Sequence, residues 1–432
     1  MTDNAQQAPW IVSEPDSTDK RFVIVHNTFT TKTFRLNKKE VGQPLGAGIS
    51  GKMRDFLLVE KLIVDPAQVT PMLERRLFEI MNSYPSNAAD AVLMPTYDCQ
   101  LNCEYCFNVN LRQAPSKKRL PPEKIAAKLI KFFKGTPAQM WRLRVTGGGE
   151  PTLETDYVAR IAGLVRQEAE KQGRFYELWM VSNGVDLKGA LLKKLLKAGL
   201  CLVQVTLDPD HDNKRVYKDG RPTLDIILKN IMALPPEVRV TGVSNVRRGE
   251  EAKFKKLLKK IRPYRHRLYD FSPGMVVTKL PERVVERGNK KMSRLNGPKE
   301  MDTMLACFDA VDEAGFTRRN KLTRVTCEAF VNSENFFINF MGQTAICPAL
   351  EAVPKYHEGS RSQEDLKKEF DYRVVNPQWK DHCYDDGVPC PYLPACFGGC
   401  RMISVSQGAG WGVINCERYC FDRIYQHELS KA

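Results

Sequence analysis

AVLMPTYDCQLNCEYCFN, Ala91 to Asn108, joins an apolar run to three closely spaced cysteines. Ala91 to Thr96 is apolar without alternation, the pattern of a strand buried on both faces in a parallel sheet. Pro85 and the polar SNAAD stretch just ahead of it mark a boundary. After it the chain alternates. Helical patterns cover Pro122–Phe133, Tyr157–Gln172, Lys188–Ala198, Thr223–Ala233 and Glu250–Ile261, and strand patterns cover Trp141–Gly147, Tyr176–Asn183, Cys201–Asp208 and Val238–Val246. Such exchange predicts a parallel sheet with crossover helices, open or partly closed into a barrel, whose chemistry gathers at the carboxyl ends of the strands.

The rest of the 432 residues is organised around this block. Residues 1–20 are polar and acidic and read as a loose tail, neither a secretion signal nor a transit peptide. Residues 21–88 open with two β-prone runs and continue as mixed helix, a small separate α+β module. Residues 89–300 hold the alternating block. In 301–432 the rhythm fades and nine of the thirteen cysteines appear, so this region is expected to depend on metal rather than on an apolar core.

Composition narrows the function classes. A chain 42% hydrophobic and 27% charged, with no apolar run near the roughly eighteen residues that span a bilayer, reads as globular with no membrane partner. The net charge is +15, but its densest stretches, Lys117–Lys134 and Lys253–Lys260, interleave charge with apolar residues at helical spacing. These are solvated helix faces, so nucleic acid is not the expected partner, whereas an acidic peptide remains compatible. Thirteen cysteines without an export signal point to a reducing, cytoplasmic setting and to metal ligation instead of disulfides. Of the six histidines only His382, beside Cys383, joins a cysteine cluster, which favours iron-sulfur clusters or four-thiolate zinc over mixed zinc sites.

Cys99, Cys103 and Cys106 have the spacing C-x3-C-x2-C, with Tyr105 just before the last thiol. Three thiolates can hold three irons of a cubane and leave the fourth open for chemistry, whereas a closed four-cysteine site is structural or a simple electron carrier. On this spacing the chain resembles the radical S-adenosylmethionine superfamily. The resemblance implies a partial (β/α)6 TIM-like barrel and a [4Fe-4S] cluster whose open iron chelates S-adenosylmethionine. One electron would then release a 5′-deoxyadenosyl radical that abstracts hydrogen from the substrate.

Further motifs carry the same resemblance. Gly148, Gly149 and Glu150 in TGGGEPT match the motif that contacts the methionine amine of the cofactor. Ser182 and Asn183 in VSNG stand where the family touches the ribose. VTLDPDHDNKRVYKDGRPTLDIILKNI resembles a segment of the peptide- and protein-modifying subgroup, which would assign Thr206 and Arg215 to the cofactor, the arginine through its carboxylate. This chain departs from that segment in lacking the glycine and a few residues after Asp208. Asn245 and Val246 would back the adenine, and Cys201 reads as a small core residue.

The later cysteines resemble the auxiliary-cluster domain known as SPASM. Cys327 and Cys347 frame C-x14-G-x4-C around Gly342, and Cys390, Cys396 and Cys400 form C-x5-C-x3-C. Cys383 precedes Cys390 by six residues where the pattern has two. The resemblance implies two auxiliary [4Fe-4S] clusters. Cys327, Cys347 and Cys400 would hold one, with Cys307 as its completing ligand; Cys383, Cys390 and Cys396, with Cys416 or Cys420, would hold the other. Two zinc sites are the alternative.

Auxiliary clusters suit a substrate that loses two electrons, and therefore dehydrogenation or cross-linking of a precursor peptide or protein, fed by a donor such as a flavodoxin or ferredoxin. Sulfatase-type maturation is the second enzymatic reading, but Pro348 stands where those enzymes place an aspartate base. A non-enzymatic iron-sulfur or zinc protein is the third. Residues 21–88 resemble, in position and β-prone opening, the winged-helix elements that hold a leader peptide, with strand addition at Phe22–His26 as the expected mode.

Overall fold

A computed structural model describes residues 4–42, 44–82, 87–106, 118–275, 298–318, 335–345, 347, 383–396 and 418–431. Cys327, Cys400 and Cys416 lie outside the described residues. The chain forms two compact units. One contains Met1–Ser83, Asn320–Val331 and Glu364–Ala432, and the other contains Tyr84–Arg319 and Asn332–Gln363.

The second unit is built on an eight-stranded, mostly parallel sheet. Its strands are β1 (Ala88–Met94), β2 (Met140–Val145), β3 (Phe175–Ser182), β4 (Leu200–Thr206), β5 (Arg239–Val246), β6 (Leu268–Met275), β7 (Asn335–Asn339) and β8 (Thr344–Ala345). They lie in the order β6-β5-β4-β3-β2-β1-β7-β8, and only the β7–β8 pair is antiparallel. Helices α1 (Pro122–Lys134), α2 (Thr155–Lys171), α3 (Gly189–Lys197), α4 (Leu224–Ala233), α5 (Glu251–Ile261) and α6 (Pro298–Glu313) follow β1 to β6 in turn. Six consecutive β/α pairs in one mostly parallel sheet match the expected partial barrel.

Alternation along each strand decides which face meets the helices. On β2, Trp141, Leu143 and Val145 are buried while Arg142 and Arg144 take the other face. On α1, Ile125, Ala126, Leu129 and Phe133 recur at helical spacing, and Phe133 stacks on Trp141 with ring centroids 5.1 Å apart. Burying each such side chain stabilises by about 1.5–3 kcal/mol. Gly242 on β5 leaves room for Phe271 on β6, whose Cδ2 would stand 2.3 Å from a Cβ added there.

Two boundaries differ from expectation. Helix α6 packs against β6 and α5, and β7 lies parallel beside β1, so the sheet unit recruits chain beyond residue 300. The β7–β8 hairpin explains the glycine of C-x14-G-x4-C: Gly342 has φ +78°, and an added Cβ would meet Leu120 Cδ1 at 2.4 Å. Asn339 Oδ1 completes the turn by accepting from the Met341 and Gln343 amides at 3.0 Å each.

The first unit also corrects the reading of residues 1–20 as a tail. Ile11–Pro15 pairs antiparallel with Phe22–Asn27, which pairs on its other side with Lys32–Asn37. Trp10 is buried, and its Nε1 donates to Lys61 O at 3.0 Å. Polar composition hid a strand whose first two residues, Ile11 and Val12, are both buried. Helices Gly51–Val59 and Pro66–Asn82 follow the sheet. The C-terminal helix Arg418–Leu429 packs Phe421, Tyr425 and Leu429 with Val12, Ile24 and Tyr392. Among the described residues no helix is long and apolar enough to cross a membrane.

Candidate functional site

Cys99, Cys103 and Cys106 lie on the loop after β1. The loop is tied to the segment after β4 by an antiparallel bridge between Leu101 and Tyr217. Asn102 N donates to Val216 O at 2.9 Å, and Lys218 N donates to Gln100 O at 3.1 Å. Within the loop Cys106 N donates to Cys103 O at 3.2 Å, and Leu101 N reaches Cys99 Sγ at 3.4 Å. Burial pushes the Cys103 thiol up to about 11, against the Arg215 charge. As a bare thiol Cys103 would stay protonated, and a metal bound there would draw its proton off. Among the described residues no three His, Cys, Asp or Glu side chains cluster tightly enough to hold a single metal ion. Three thiols on one loop are the donor set of a cubane with one iron left open, whereas a closed zinc site takes four ligands.

The loop after β2 lies directly on the cysteine loop. Gly149 N donates to Thr96 O at 3.0 Å and Glu150 N to Asp98 O at 2.6 Å. A Cβ on Gly149 would fall 1.9 Å from Asp98 O, and one on Gly148 would fall 2.6 Å from Tyr97 Cδ1. These glycines therefore permit loop-on-loop packing, a purpose that spacing alone did not reveal.

Glu150 is buried and fastens that loop to the end of β3. Its Oε1 accepts from Thr152 N at 3.0 Å, Thr152 Oγ1 at 2.7 Å and Ser182 Oγ at 2.8 Å, and its Oε2 accepts from Asn183 N at 2.7 Å. Burial pushes its carboxyl up, against the hydrogen bonds from Asn183, Thr152 and Ser182. The Asn183 amide nitrogen turns to Gln100 Oε1 at 3.2 Å and lies 3.8 Å from Cys99 Sγ. Ser182 and Asn183 thus stand beside the cysteine loop with their oxygens serving the Gly184 and Val185 amides at 3.0 Å each.

A second cluster gathers at the ends of β4 and β5. Tyr105 OH donates to Asp208 Oδ2 and accepts from Arg215 Nη1 at 2.8 Å; Asn245 Nδ2 stands 3.5 Å away. Asp208 is fully buried, accepts from Asn245 N at 2.6 Å and lies 3.7 Å from Arg215 Nη1. Burial pushes its carboxyl up to about 6, against Arg215 and the Asn245 amide. Arg215 is itself buried, and its Nε has no hydrogen-bond partner among the described residues. A buried guanidinium with an open donor is suited to an anionic ligand. Pattern reading assigned Arg215 to the cofactor but gave Asp208 no role, using it only to mark where the VTLDPDH segment departs from the family pattern.

Other expected positions fall differently. Thr206 is half-buried at the end of β4. Val246 is fully buried in the apolar core, so its side chain offers no surface to an adenine ring, while Asn245 beside it is half-buried. Cys307 is fully buried in the same core on α6, and burial pushes its thiol up to about 12. Cys347 is half-buried just beyond β8. In the first unit Cys383 is buried, Cys390 and Cys396 pack against the Tyr392–Phe421–Tyr425 cluster, and Cys420 lies on the C-terminal helix.

Residues 93–267 match the Radical SAM superfamily. Over 154 residues the chain is 30% identical to the GTP 3′,8-cyclase of Paenarthrobacter nicotinovorans, a match covering 36% of this chain and 41% of that protein, about two fifths of its length. Among solved structures it is similar to native anSMEcpe with bound AdoMet and Cp18Cys peptide, with TM-score 0.59 and 14% identity over 80% of this chain and 97% of that one. It is also similar to Streptococcus suis SuiB bound to precursor peptide SuiA, with TM-score 0.50 and 13% identity over 95% and 99%. At these identities the structural likeness establishes the fold.

Proposed function

Residues 93–267 being a radical SAM domain, we propose that the chain is an enzyme that oxidatively modifies a ribosomally made peptide, cross-linking or dehydrogenating it. Cys99, Cys103 and Cys106 would hold a [4Fe-4S] cluster, whose chemistry when bound would be the one-electron cleavage of S-adenosylmethionine into methionine and a hydrogen-abstracting radical. The observation that carries the reading is convergence: the cysteine loop, the Gly148–Glu150 loop, Ser182–Asn183 and the Tyr105–Asp208–Arg215 group all meet at the carboxyl ends of β1 to β5. There Arg215 offers its open Nε to the carboxylate of S-adenosylmethionine. The Gly148–Gly149 backbone and the remaining acceptor capacity of Glu150 Oε2 receive the ammonium, and Asn183 and Thr206 face the sugar.

Cys383, Cys390, Cys396 and Cys420, with cysteines outside the described residues, are the proposed auxiliary ligands; they would accept the electron a substrate radical must lose. An external flavodoxin or ferredoxin would reduce the first cluster. For leader binding the geometry moves the expected site. Phe22–Asn27 is the central strand, paired on both sides, so it cannot add a partner. Ile11–Pro15 and Lys32–Asn37 are the two edges of this described sheet, and Lys32–Asn37 has helix Gly51–Val59 beside it, with Phe34 edge-on to Phe56 at 5.6 Å. We place a leader segment along Lys32–Asn37 by strand addition.

The test is anaerobic reconstitution with a reductant, S-adenosylmethionine and a short peptide encoded beside the gene. The expected products are 5′-deoxyadenosine and a peptide lighter by two hydrogens. Absence of 5′-deoxyadenosine from wild type with a full complement of iron would refute the radical assignment, and formation of it with unmodified peptide would refute that substrate.

A further inference from the structure

We infer that Asp208 is the positioning residue of the cofactor pocket, holding from one buried point the groups that three different strands send to it. The inference rests on the S-adenosylmethionine reading for its ligand, but the geometry is the chain's own. The two carboxylate oxygens divide the work. Oδ1 accepts the Asn245 amide at 2.6 Å and so fixes the end of β5. Oδ2 accepts the Tyr105 hydroxyl from the cysteine loop and draws Arg215 Nη1 to 3.7 Å. Tyr105 OH in turn accepts Arg215 Nη1 at 2.8 Å, so the guanidinium is held by a hydroxyl that is itself held by Asp208.

The backbone of the same residue secures the other end of Arg215. Asp208 N donates to His211 Nδ1 at 3.1 Å, which requires the proton of this buried imidazole to sit on Nε2. His211 Nε2 then donates to Thr223 Oγ1 at 3.1 Å, and Thr223 Oγ1 donates to Arg215 O at 2.5 Å. Every link has one direction and none is left unmade. Asp208 therefore fixes both the guanidinium and the backbone of Arg215 while leaving its Nε open. The turn between them reaches the left-handed region at Asp210, φ +56°, a residue type that tolerates it, and this accommodates the glycine absent from VTLDPDH.

The experiment measures S-adenosylmethionine affinity by equilibrium dialysis on reconstituted full-length protein, with iron content and the cluster's electron paramagnetic resonance signal alongside. The variants are Asp208→Asn, Tyr105→Phe and the double variant. Loss of charge at Asp208 is expected to weaken binding about tenfold to a hundredfold, and loss of the tyrosine hydroxyl about tenfold. The double variant should be no weaker than Asp208→Asn alone, because both act through one tether. Iron at the three-cysteine site should be unchanged. Affinity of Asp208→Asn within twofold of wild type, or independent multiplication of the two losses, overturns the inference. Should Asp208→Asn not fold, Tyr105→Phe decides alone, since it frees Arg215 while leaving the carboxylate and its Asn245 bond in place; unchanged affinity there overturns it. Wild type that binds no S-adenosylmethionine instead refutes the underlying assignment.

Discussion

Cys390 N donates to Cys383 O at 2.7 Å, so two cysteines with six residues between them are neighbours in space. The intervening chain is a tight hairpin: Tyr384 pairs with Pro389 and Asp385 with Val388, and Asp386 and Gly387 turn it with φ +46° and +80°. Two successive left-handed residues reading Asp-Gly are the signature of a two-residue hairpin turn. The longer spacing therefore reaches the same end as a C-x2-C pair.

Gly387→Val should disturb that closure. A β-branched residue in the left-handed region costs about 1–2 kcal/mol. Anaerobically purified variant is expected to carry less iron at the proposed auxiliary site of Cys383 and Cys390 and unchanged iron at the proposed three-cysteine site; iron equal to wild type would sink the prediction.

Glu150→Gln should be destabilising despite its conserved shape. The carboxylate accepts four hydrogen bonds from Thr152, Ser182 and Asn183. An amide nitrogen in place of one oxygen must face a donor, leaving at least one buried group unmade at about 1–3 kcal/mol. Urea denaturation of the variant measures this loss.

Acid should weaken the first unit through His26. Its ring is buried, with Nδ1 2.8 Å from Thr33 Oγ1 and no partner at Nε2 among the described residues, and burial lowers its pKa to about 4 from 6.5. Folding favours the neutral ring, so its contribution is fully present above pH 6.5 and is lost as pH falls toward 4. The loss amounts to up to about 3 kcal/mol. His26→Gln should flatten the dependence of the urea midpoint over that window; an unchanged slope counts against it.

Gly242→Ala should strain the β5–β6 contact, because the added methyl would stand 2.3 Å from Phe271 Cδ2 in a packed aromatic layer. The expected cost is about 1–3 kcal/mol with the fold retained. Repacking through Gly242→Ala with Phe271→Leu should recover part of it, and a double variant less stable than the single would contradict the account.

Much of this was legible beforehand because period and spacing are local properties. The alternation from β1 to α5 followed from apolar periodicity, and the strand expected from Ala91 was found to start at Ala88. The three-thiol loop followed from spacing in the same way. What escaped depended on partners distant in the chain. Residues 1–20 are polar apart from the short run Ala8–Val12, yet Trp10, Ile11 and Val12 are buried because Phe22–Asn27 and the segment near Lys61 lie against them. The Phe22–His26 run was β-prone enough to read as an edge, but edge or centre depends on what pairs beside it. Val246 matched a family position by letter, whereas burial placed its side chain among apolar neighbours.

By itself the sequence determined a parallel α/β sheet and a loop of three thiols at a strand end, because hydrophobic period and cysteine spacing are set by the covalent chain. Only the tertiary structure decided that Asp208 gathers Tyr105, Arg215 and Asn245, and that Lys32–Asn37 rather than Phe22–Asn27 offers an open edge. Those facts arise where separate strands end together and a buried charge must find its partners, and no local pattern encodes which ones it meets.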